Sequence, residues 1–322
     1  MGARARRIGC VPRLSVIVPA SDRPPELERC LAALQASDEP PEEVVVVEDP
    51  GLRSAAAARN AGARGATSEV IVFVDADVEV HPDALSRVRA RLDADPSLVA
   101  VFGSYDEDPE APGVVSRFRN LLHYHVHQCA AGPATTFWTG LGAIRRDDFV
   151  AAGGFRLTPF PLPLMEDVDF GMRLTAAGKR IEIDPEIQGK HLKRWTLPGM
   201  LWTDFGLRGV PWTVLLLQQR RGSSTLNLGW QHRATALLSL AAAVSLLRGR
   251  PLAATASLAG IVALNEHLYR LLVRKLGMSG AAASLGLHAL HHLTGIAAAG
   301  VGLAAYLLHP EAESAPPGAR TP

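Results

Sequence analysis

The sequence predicts an α/β fold with a mostly parallel sheet, followed by hydrophobic α-helices. Three apolar runs, at 14–19, 44–47 and 70–74, have the length and valine content of buried strands. Each run precedes a stretch with helical spacing, and this alternation implies right-handed crossovers between parallel strands. The 322 residues suffice for one such domain and a smaller helical region.

Polar or acidic residues follow each predicted strand. The carboxyl ends of parallel strands meet at one edge of a sheet, where ligands of open α/β folds bind. The predicted elements, in order, are strands at 14–19, 44–47 and 70–74 and helices at 25–36, 54–65 and 82–92. We therefore expect a ligand site at this edge.

The third strand, Val70–Val74, leads into Asp75-Ala76-Asp77. If the strand geometry continues through these residues, the two carboxylates lie on the same side. They could then jointly face a hard divalent cation that carries phosphate. The alternative is a strand end with solvated aspartates.

Net charge, cysteine content and the N-terminal sequence indicate which partners and which cellular compartment to expect. Lysine and arginine number 33 against 32 acidic residues, so no global charge favours nucleic acid as a partner. Cys10, Cys30 and Cys129 are scattered, as expected of small hydrophobic side chains in a reducing compartment. The basic start leads directly into a strand, so a cleaved secretory signal is not expected.

The composition changes from Trp195 onward, where tryptophans cluster and long Ala/Leu-rich stretches follow. Between Leu226 and His309 the only acidic residue is Glu266. The stretch 197–221 is amphipathic, as in helices that lie along a membrane surface. Stretches 234–247 and 252–264 are shorter than the ~20 residues of a spanning helix, whereas 284–308 is long enough.

These features predict a membrane-associated helical region, and they leave open whether its helices span the bilayer or enter one leaflet. The alternative is a soluble domain with ordinary core helices. The predicted division is a basic tail at 1–13, an α/β domain at 14–205, a membrane-associated region at 206–309 and a disordered tail at 310–322.

Several motifs resemble those of a known family. VIVPASDR, VVVVEDPG, ARNAGARGA and VIVFVDADV, in this order, resemble the nucleotide-binding half of family 2 glycosyltransferases, which have the GT-A fold. TGLGAIRR, GGF, MEDVDFGMRL and HLKRW extend the resemblance as far as Trp195. One DxD pair is weak evidence, and the ordered set over about 14–195 carries the resemblance.

The resemblance implies a role for each matching position. Asp167 matches the catalytic base. The implied metal ligands are Asp77, Asp75 and His191. The residues implied to bind the nucleotide-sugar donor, from the nucleobase and ribose to the diphosphate, are Pro19, Ser21, Glu48, Asp49, Arg59, Asp75, Arg194 and Trp195. Glu48 stands where Asp is more usual, and His191 where Gln is common.

The implied chemistry is an inverting transfer assisted by Mn²⁺ or Mg²⁺. The cation would neutralise the diphosphate leaving group, and Asp167 would accept the proton of the acceptor hydroxyl. Two structural alternatives stay open. Asp167 could stabilise a helix N-terminus through the helix dipole, and His191 could be an ordinary packed imidazole.

The expected function is therefore transfer of a sugar from a nucleotide-diphosphate donor to a hydroxyl or phosphate of an acceptor. A catalytic domain held at the cytoplasmic face of the membrane favours a lipid-linked acceptor. The alternative is a catalytically degenerate GT-A-like membrane scaffold. Nucleotidyl transfer is disfavoured because PASDRPPE, after the first strand, contains no glycine-rich phosphate loop.

Overall fold

The structure, a computed structural model, describes residues 12–49, 51–52, 54–157, 165–219 and 229–308. It divides into two compact units. The first contains residues up to Glu110 together with His123–Lys193, and the second contains Ala111–Leu122 and the residues from Arg194 onward. The division falls at 193/194, earlier in the chain than the expected 205. Residues 1–11 of the expected basic tail, and the whole tail at 310–322, lie outside the described residues.

An eight-stranded sheet forms the centre of the first unit, with the order β2-β1-β3-β7-β5-β8-β4 and with β6 paired to β8. The strands are β1 (Leu14–Pro19), β2 (Glu43–Val47), β3 (Val70–Val74), β4 (Val78–Val80), β5 (Leu98–Tyr105), β6 (Gly132–Ala134), β7 (Leu141–Arg145) and β8 (Arg180–His191).

The pairing confirms the predicted α/β fold with a mostly parallel sheet. β1 pairs in parallel with β2 and β3, and β5 pairs in parallel with β8. β7 lies antiparallel between β3 and β5, and β4 and β6 are antiparallel to β8. Five of the eight strands therefore run in one direction. Every residue of β3 is buried, as its continuous apolar run predicts.

The helices of the first unit follow the predicted alternation. They are α1 (Leu27–Gln35), α2 (Ala55–Gly65), α3 (Ala84–Ala94), α5 (Arg146–Ala151) and α6 (Glu166–Ala176), and the division between the units passes through α4 (Val114–Cys129). α2 lies close to β1, because a Cβ at Gly62 would be 2.5 Å from Ile17 Cγ2. This glycine lets the helix approach the sheet.

The second unit is helical and continues from α4 with α7 (Leu197–Trp202), a π-helix (Thr203–Gly209), α8 (Val210–Gln219), α9 (Trp230–Leu247), α10 (Pro251–Leu264) and α11 (Glu266–Leu308). α9 and α10 form a hairpin with a turn at Gly249 (φ 65°). α11 is kinked at Gly277, where φ is 71°. Positive φ is a conformation that glycine adopts without the steric cost of a Cβ.

Candidate active site

The candidate site begins where β3 ends at Val74. Asp75, Ala76 and Asp77 form a turn, in which Val78 N donates a hydrogen bond to Asp75 O at 2.9 Å. Strand geometry therefore does not continue through the two aspartates. The prediction that both carboxylates lie on the same side depended on it, so that argument does not apply. Their carboxylates have different partners.

Asp75 pairs with the buried side chain of Arg59, on α2. Arg59 Nη2 lies 2.6 Å from Asp75 Oδ1, and Nη1 lies 2.8 Å from Glu166 Oε1. Burial alone would lower the pKa of Arg59, but the charges of Asp75 and Glu166 raise it above its ordinary value. Arg59 stays charged and joins the end of β3 to the start of α6.

The first turn of α6 contains three acidic residues, which interact favourably with the helix dipole. Glu166 pairs with Arg59, and Asp169 Oδ2 accepts a hydrogen bond from Arg173 Nε at 2.9 Å. Asp167 is half-buried, and its Oδ1 accepts a hydrogen bond from Val168 N at 2.7 Å. Because Arg59 ties Glu166 to Asp75, the adjacent Asp167 lies near the end of β3.

Two polar side chains hold α6 in this place. Arg173 donates from Nη1 to Ala152 O and from Nη2 to Gly154 O, both at 2.6 Å. Asn60, next to Arg59 on α2, donates to Phe155 O at 2.7 Å and accepts from Phe155 N at 3.0 Å. The GGF loop is thus bonded to both α6 and α2.

The motif glycines have two structural roles. Gly153 and Gly154 turn the chain, with φ of 74° and 65°. A Cβ at Gly140 would lie 2.2 Å from the ring of Trp138, and a Cβ at Gly142 would lie 2.2 Å from Trp138 O. Turns account for the first pair and close packing for the second.

The pairing of β4 with β8 brings Asp77 beside His191. His191 is opposite Val78 in this antiparallel pair, and Leu192 N donates to Asp77 O at 2.9 Å. His191 is buried, with Nε2 3.5 Å from Asp77 Oδ2. Burial acts to raise the pKa of Asp77, but His191 and the charge of Lys193 lower it below its ordinary value.

The donor set of Asp77 and His191 fits a divalent cation that also binds phosphate. The described residues hold no group of three or more His, Cys, Asp or Glu side chains arranged for a metal. One carboxylate and one imidazole suit Mn²⁺, and the carboxylate also suits Mg²⁺. Magnesium commonly uses one or two carboxylates, with phosphate and water completing its shell.

The ends of β1 and β2 form the neighbouring part of this sheet edge. Pro19 is in register with Val47, and Ala20 N donates to Val47 O at 2.9 Å. Ser21 is half-buried in the turn that follows. The two predicted nucleobase residues on this strand end therefore lie beside the end of β2.

The two acids after β2 have local partners. Glu48 Oε1 forms an exposed ion pair with Arg23 Nε at 2.9 Å. Asp49 Oδ1 accepts a hydrogen bond from Gly51 N at 2.8 Å, which shapes the turn after the strand. Both side chains are exposed beside the end of β1.

Arg194 and Trp195 belong to the second unit. Arg194 is exposed, and Trp195 N donates to Ser116 Oγ at 3.1 Å. The Arg119 guanidinium lies 5.4 Å from the centre of the Trp195 ring, a cation–π distance.

Sequence reasoning missed two contacts of this site. Glu166, which precedes Asp167 in the MEDVDFGMRL motif, is the second partner of Arg59. Tyr105 stacks on His191, with ring centres 4.1 Å apart. The sequence feature that could have identified Tyr105 is its position at the end of an apolar run, since the candidate site residues also lie at the ends of strands.

Residues 50–151 match the family model described as "Glycosyl transferase family 2". No curated protein matches the sequence. Among solved structures, the chain is similar to the mannosyltransferase PcManGT from Pyrobaculum calidifontis, solved in complex with GDP-Man and Mn²⁺. That match has 21% identity, covers 93% of this chain and 81% of the other, and has a TM-score of 0.44. The family model includes Arg59, Asp75 and Asp77, so the resemblance to family 2 glycosyltransferases is confirmed over residues 50–151.

Proposed function

We propose that this chain is a glycosyltransferase that moves a sugar from a nucleotide-diphosphate donor to a hydroxyl or phosphate of an acceptor. The observation that carries the proposal is the ion-pair chain Asp75–Arg59–Glu166. It ties a strand end inside the family-matched segment to the helix that bears Asp167. A nucleotide-binding edge and a candidate base are thus held together within the first unit.

Asp167 is the proposed general base. Its carboxylate would accept the proton of the acceptor hydroxyl as that oxygen bonds to the anomeric carbon, while the bond from this carbon to the diphosphate oxygen breaks. General-base assistance of this kind contributes about 10²–10⁴-fold. One direct displacement inverts the anomeric configuration, and NMR of the product's anomeric proton would contradict the proposal if configuration were retained.

The donor site would be formed by the edge of the sheet. When bound, Mn²⁺ or Mg²⁺ neutralises charge on the leaving diphosphate. Asp77 and His191 would hold the cation, with Asp75 adjacent and directed to the ribose by Arg59. Pro19, Ser21, Glu48 and Asp49 would hold the nucleobase, and Arg59 would lie near the base or the diphosphate. Arg194 and Trp195 are the other proposed donor-binding residues.

We propose that the second unit attaches the enzyme to a membrane. Among the described helices, Glu266–Leu308 is long and apolar enough to cross a bilayer. Only 17% of its most apolar stretch is buried inside the protein. The α9–α10 hairpin also exposes apolar side chains at its turn, where Leu247 and Leu252 are 88% and 87% exposed. Lipid contact would remove this surface from water.

The charge pattern supports a cytoplasmic position for the catalytic unit. Arg270, Arg274 and Lys275 precede the kink at Gly277, and the apolar part of α11 follows it. By the positive-inside rule, this basic end faces the cytoplasm. An acceptor carried on a lipid is the simplest reason for a transferase to be held there.

The direct test is a panel of nucleotide sugars with Mn²⁺ and a lipid extract, scored for released nucleoside diphosphate. We expect release with one donor class and only when the lipid fraction is present. Transfer to soluble sugars alone would contradict the lipid-linked acceptor. The absence of release with every donor would favour the degenerate scaffold instead.

Membrane attachment has its own test. Carbonate washing releases peripheral proteins and leaves embedded helices in the membrane fraction. We expect the full chain to resist carbonate and to be extracted by detergent. Full release by carbonate would contradict an embedded α11.

A further inference from the structure

We propose that Tyr105 is a positioning residue that holds the His191 imidazole beside Asp77. The inference rests on the proposed function, in which His191 is a metal ligand. The two rings are stacked, with centres 4.1 Å apart and planes inclined by only 6°. His191 Nε2 lies 3.5 Å from Asp77 Oδ2 in the same arrangement.

The pairing of β5 with β8 places Tyr105 and His191 close together in the sheet. Tyr105 ends β5 and is in register with Gly189 of the parallel strand β8, two residues before His191. Side chains two apart on a strand share a face, so Tyr105 and His191 project on the same side of the sheet. Tyr105 is 7% exposed, which leaves it little freedom to move away.

Three further rings support Tyr105. The Trp138 ring meets it edge-on, with centres 5.0 Å apart and planes at 86°. The His123 ring centre lies 4.3 Å from Tyr105, and His127, one turn later on α4, lies 4.1 Å from His123. The rings form a continuous column from His127 to His191.

The far end of the column is bonded to the sheet. His127 Nδ1 lies 2.8 Å from Gly103 O, so this nitrogen carries the proton. Gly103 lies at an irregularity in the β5–β8 pairing, between Phe102 and Ser104. A Cβ there would be 2.0 Å from Ile187 O, so only glycine fits. Such irregularities often lie beside active sites, where they redirect groups.

The chemical consequence is a pre-oriented ligand. A histidine that binds a cation loses side-chain freedom, and a ring already held by stacking loses less of it. Groups that orient metal ligands typically change metal affinity by about 10–100-fold when they are removed. The stack fixes the plane of the imidazole through the aromatic ring of Tyr105.

The test measures Mn²⁺ affinity of the full-length protein in detergent, from the EPR signal of free Mn²⁺. We expect Tyr105→Leu to weaken binding about 10-fold or more and Tyr105→Phe to leave it close to wild type. Tyr124→Leu, which removes the same side chain from α4, is the matched control and should bind as wild type. Normal affinity in Tyr105→Leu would overturn the proposal.

A double-mutant cycle separates this inference from the proposed function. In a His191→Ala background, Tyr105→Leu should have no further effect, because the stack acts through the imidazole. An equal loss in both backgrounds would overturn positioning. If His191→Ala binds Mn²⁺ as tightly as wild type, the proposed metal site fails, and the inference fails with it.

A measurement on the unmutated ring covers the case in which Tyr105→Leu does not fold. NMR of the His191 imidazole protons should show upfield ring-current shifts in wild type and in Tyr105→Phe. Shifts typical of an exposed imidazole would contradict the stack itself, whatever the variants do.

Discussion

Each of the two units contains one buried charged side chain between two polar partners, a cation in the first unit and an anion in the second. In the first unit the cation Arg59 lies between Asp75 and Glu166. In the second unit the anion Asp204, on the π-helix, lies 2.6 Å from Arg119 Nη2 and 2.7 Å from His291 Nδ1. Both central side chains are 6% exposed or less.

The difference lies in what surrounds each triad. The first has two acids and one base. It adjoins Asp77, a candidate cation ligand, and Asp167, a candidate proton acceptor. The second has a single carboxylate and lies among apolar helices. We infer that the first triad organises chemistry and the second holds helices together.

The largest effect is expected from Arg59→Met. It leaves Asp75 and Glu166 facing each other without a cation, and loss of one partner in a buried ion pair costs about 3–5 kcal/mol. α6 should also shift, and a displacement of about 1 Å can lower the rate about 10²-fold. Chemical denaturation and kcat of the folded fraction measure the two effects, and unchanged kcat would contradict the organising role.

Asp204→Leu should lower stability by a similar amount, about 3–5 kcal/mol, because Arg119 is then buried without its carboxylate. We expect kcat per folded molecule to stay near wild type. Arg119→Met combined with Asp204→Leu should recover much of the lost stability, since apolar groups can replace a buried pair. A large fall in kcat with normal stability would show that the second triad also serves the reaction.

The second triad also predicts a dependence on pH. Burial acts to raise the pKa of Asp204, but the hydrogen bond from His291 and the charge of Arg119 lower it below its ordinary 3.8. Its stabilisation is therefore present above pH 3.8 and is lost as pH falls through the lower folded value. The stability difference between wild type and the Arg119→Met, Asp204→Leu double variant should change in this acid range, and acid titration of unfolding measures it.

The smallest effect is expected from Ser54→Ala. Ser54 Oγ accepts a hydrogen bond from Ala57 N at 3.2 Å and caps α2, the helix that bears Arg59. Loss of such a cap costs about 1 kcal/mol. Because Arg59, Asp75 and Glu166 stay paired, kcat should be unchanged. If kcat instead fell in proportion to the lost stability in both variants, stability alone would explain the effect of Arg59→Met.

The first unit was largely predictable because its signals are local. Apolar runs predicted β1, β2 and β3. The motif order singled out Asp75, Asp77 and Asp167, whose roles stay predictions. The turn at Asp75–Asp77 was not predicted, since where β3 ends and β4 begins depends on the pairing of β3 with β7 and of β4 with β8. The partners of Arg59 and His191 come from segments distant in sequence.

The second unit was predictable only in composition. Ala/Leu-rich stretches gave α9 and α10, but not the kink of α11 at Gly277. Nothing in the sequence linked Asp204 to Arg119, because Arg119 comes from the segment 111–122, which lies inside the α/β part of the chain. The local spacing of apolar residues does not show that a segment belongs to a different unit from the residues on either side of it.

The most direct test of Asp167 as the general base compares Asp167→Asn with Asp147→Asn, which changes an exposed acid in the first turn of α5. Released nucleoside diphosphate is measured with the donor and lipid fraction that wild type uses. We expect a fall of about 10²–10⁴-fold for Asp167→Asn and wild-type release for Asp147→Asn. The free energy of unfolding of Asp167→Asn should fall by no more than about 1 kcal/mol, from the lost interaction with the helix dipole. Wild-type release by Asp167→Asn would contradict the assignment of Asp167 as the base that accepts the acceptor's proton.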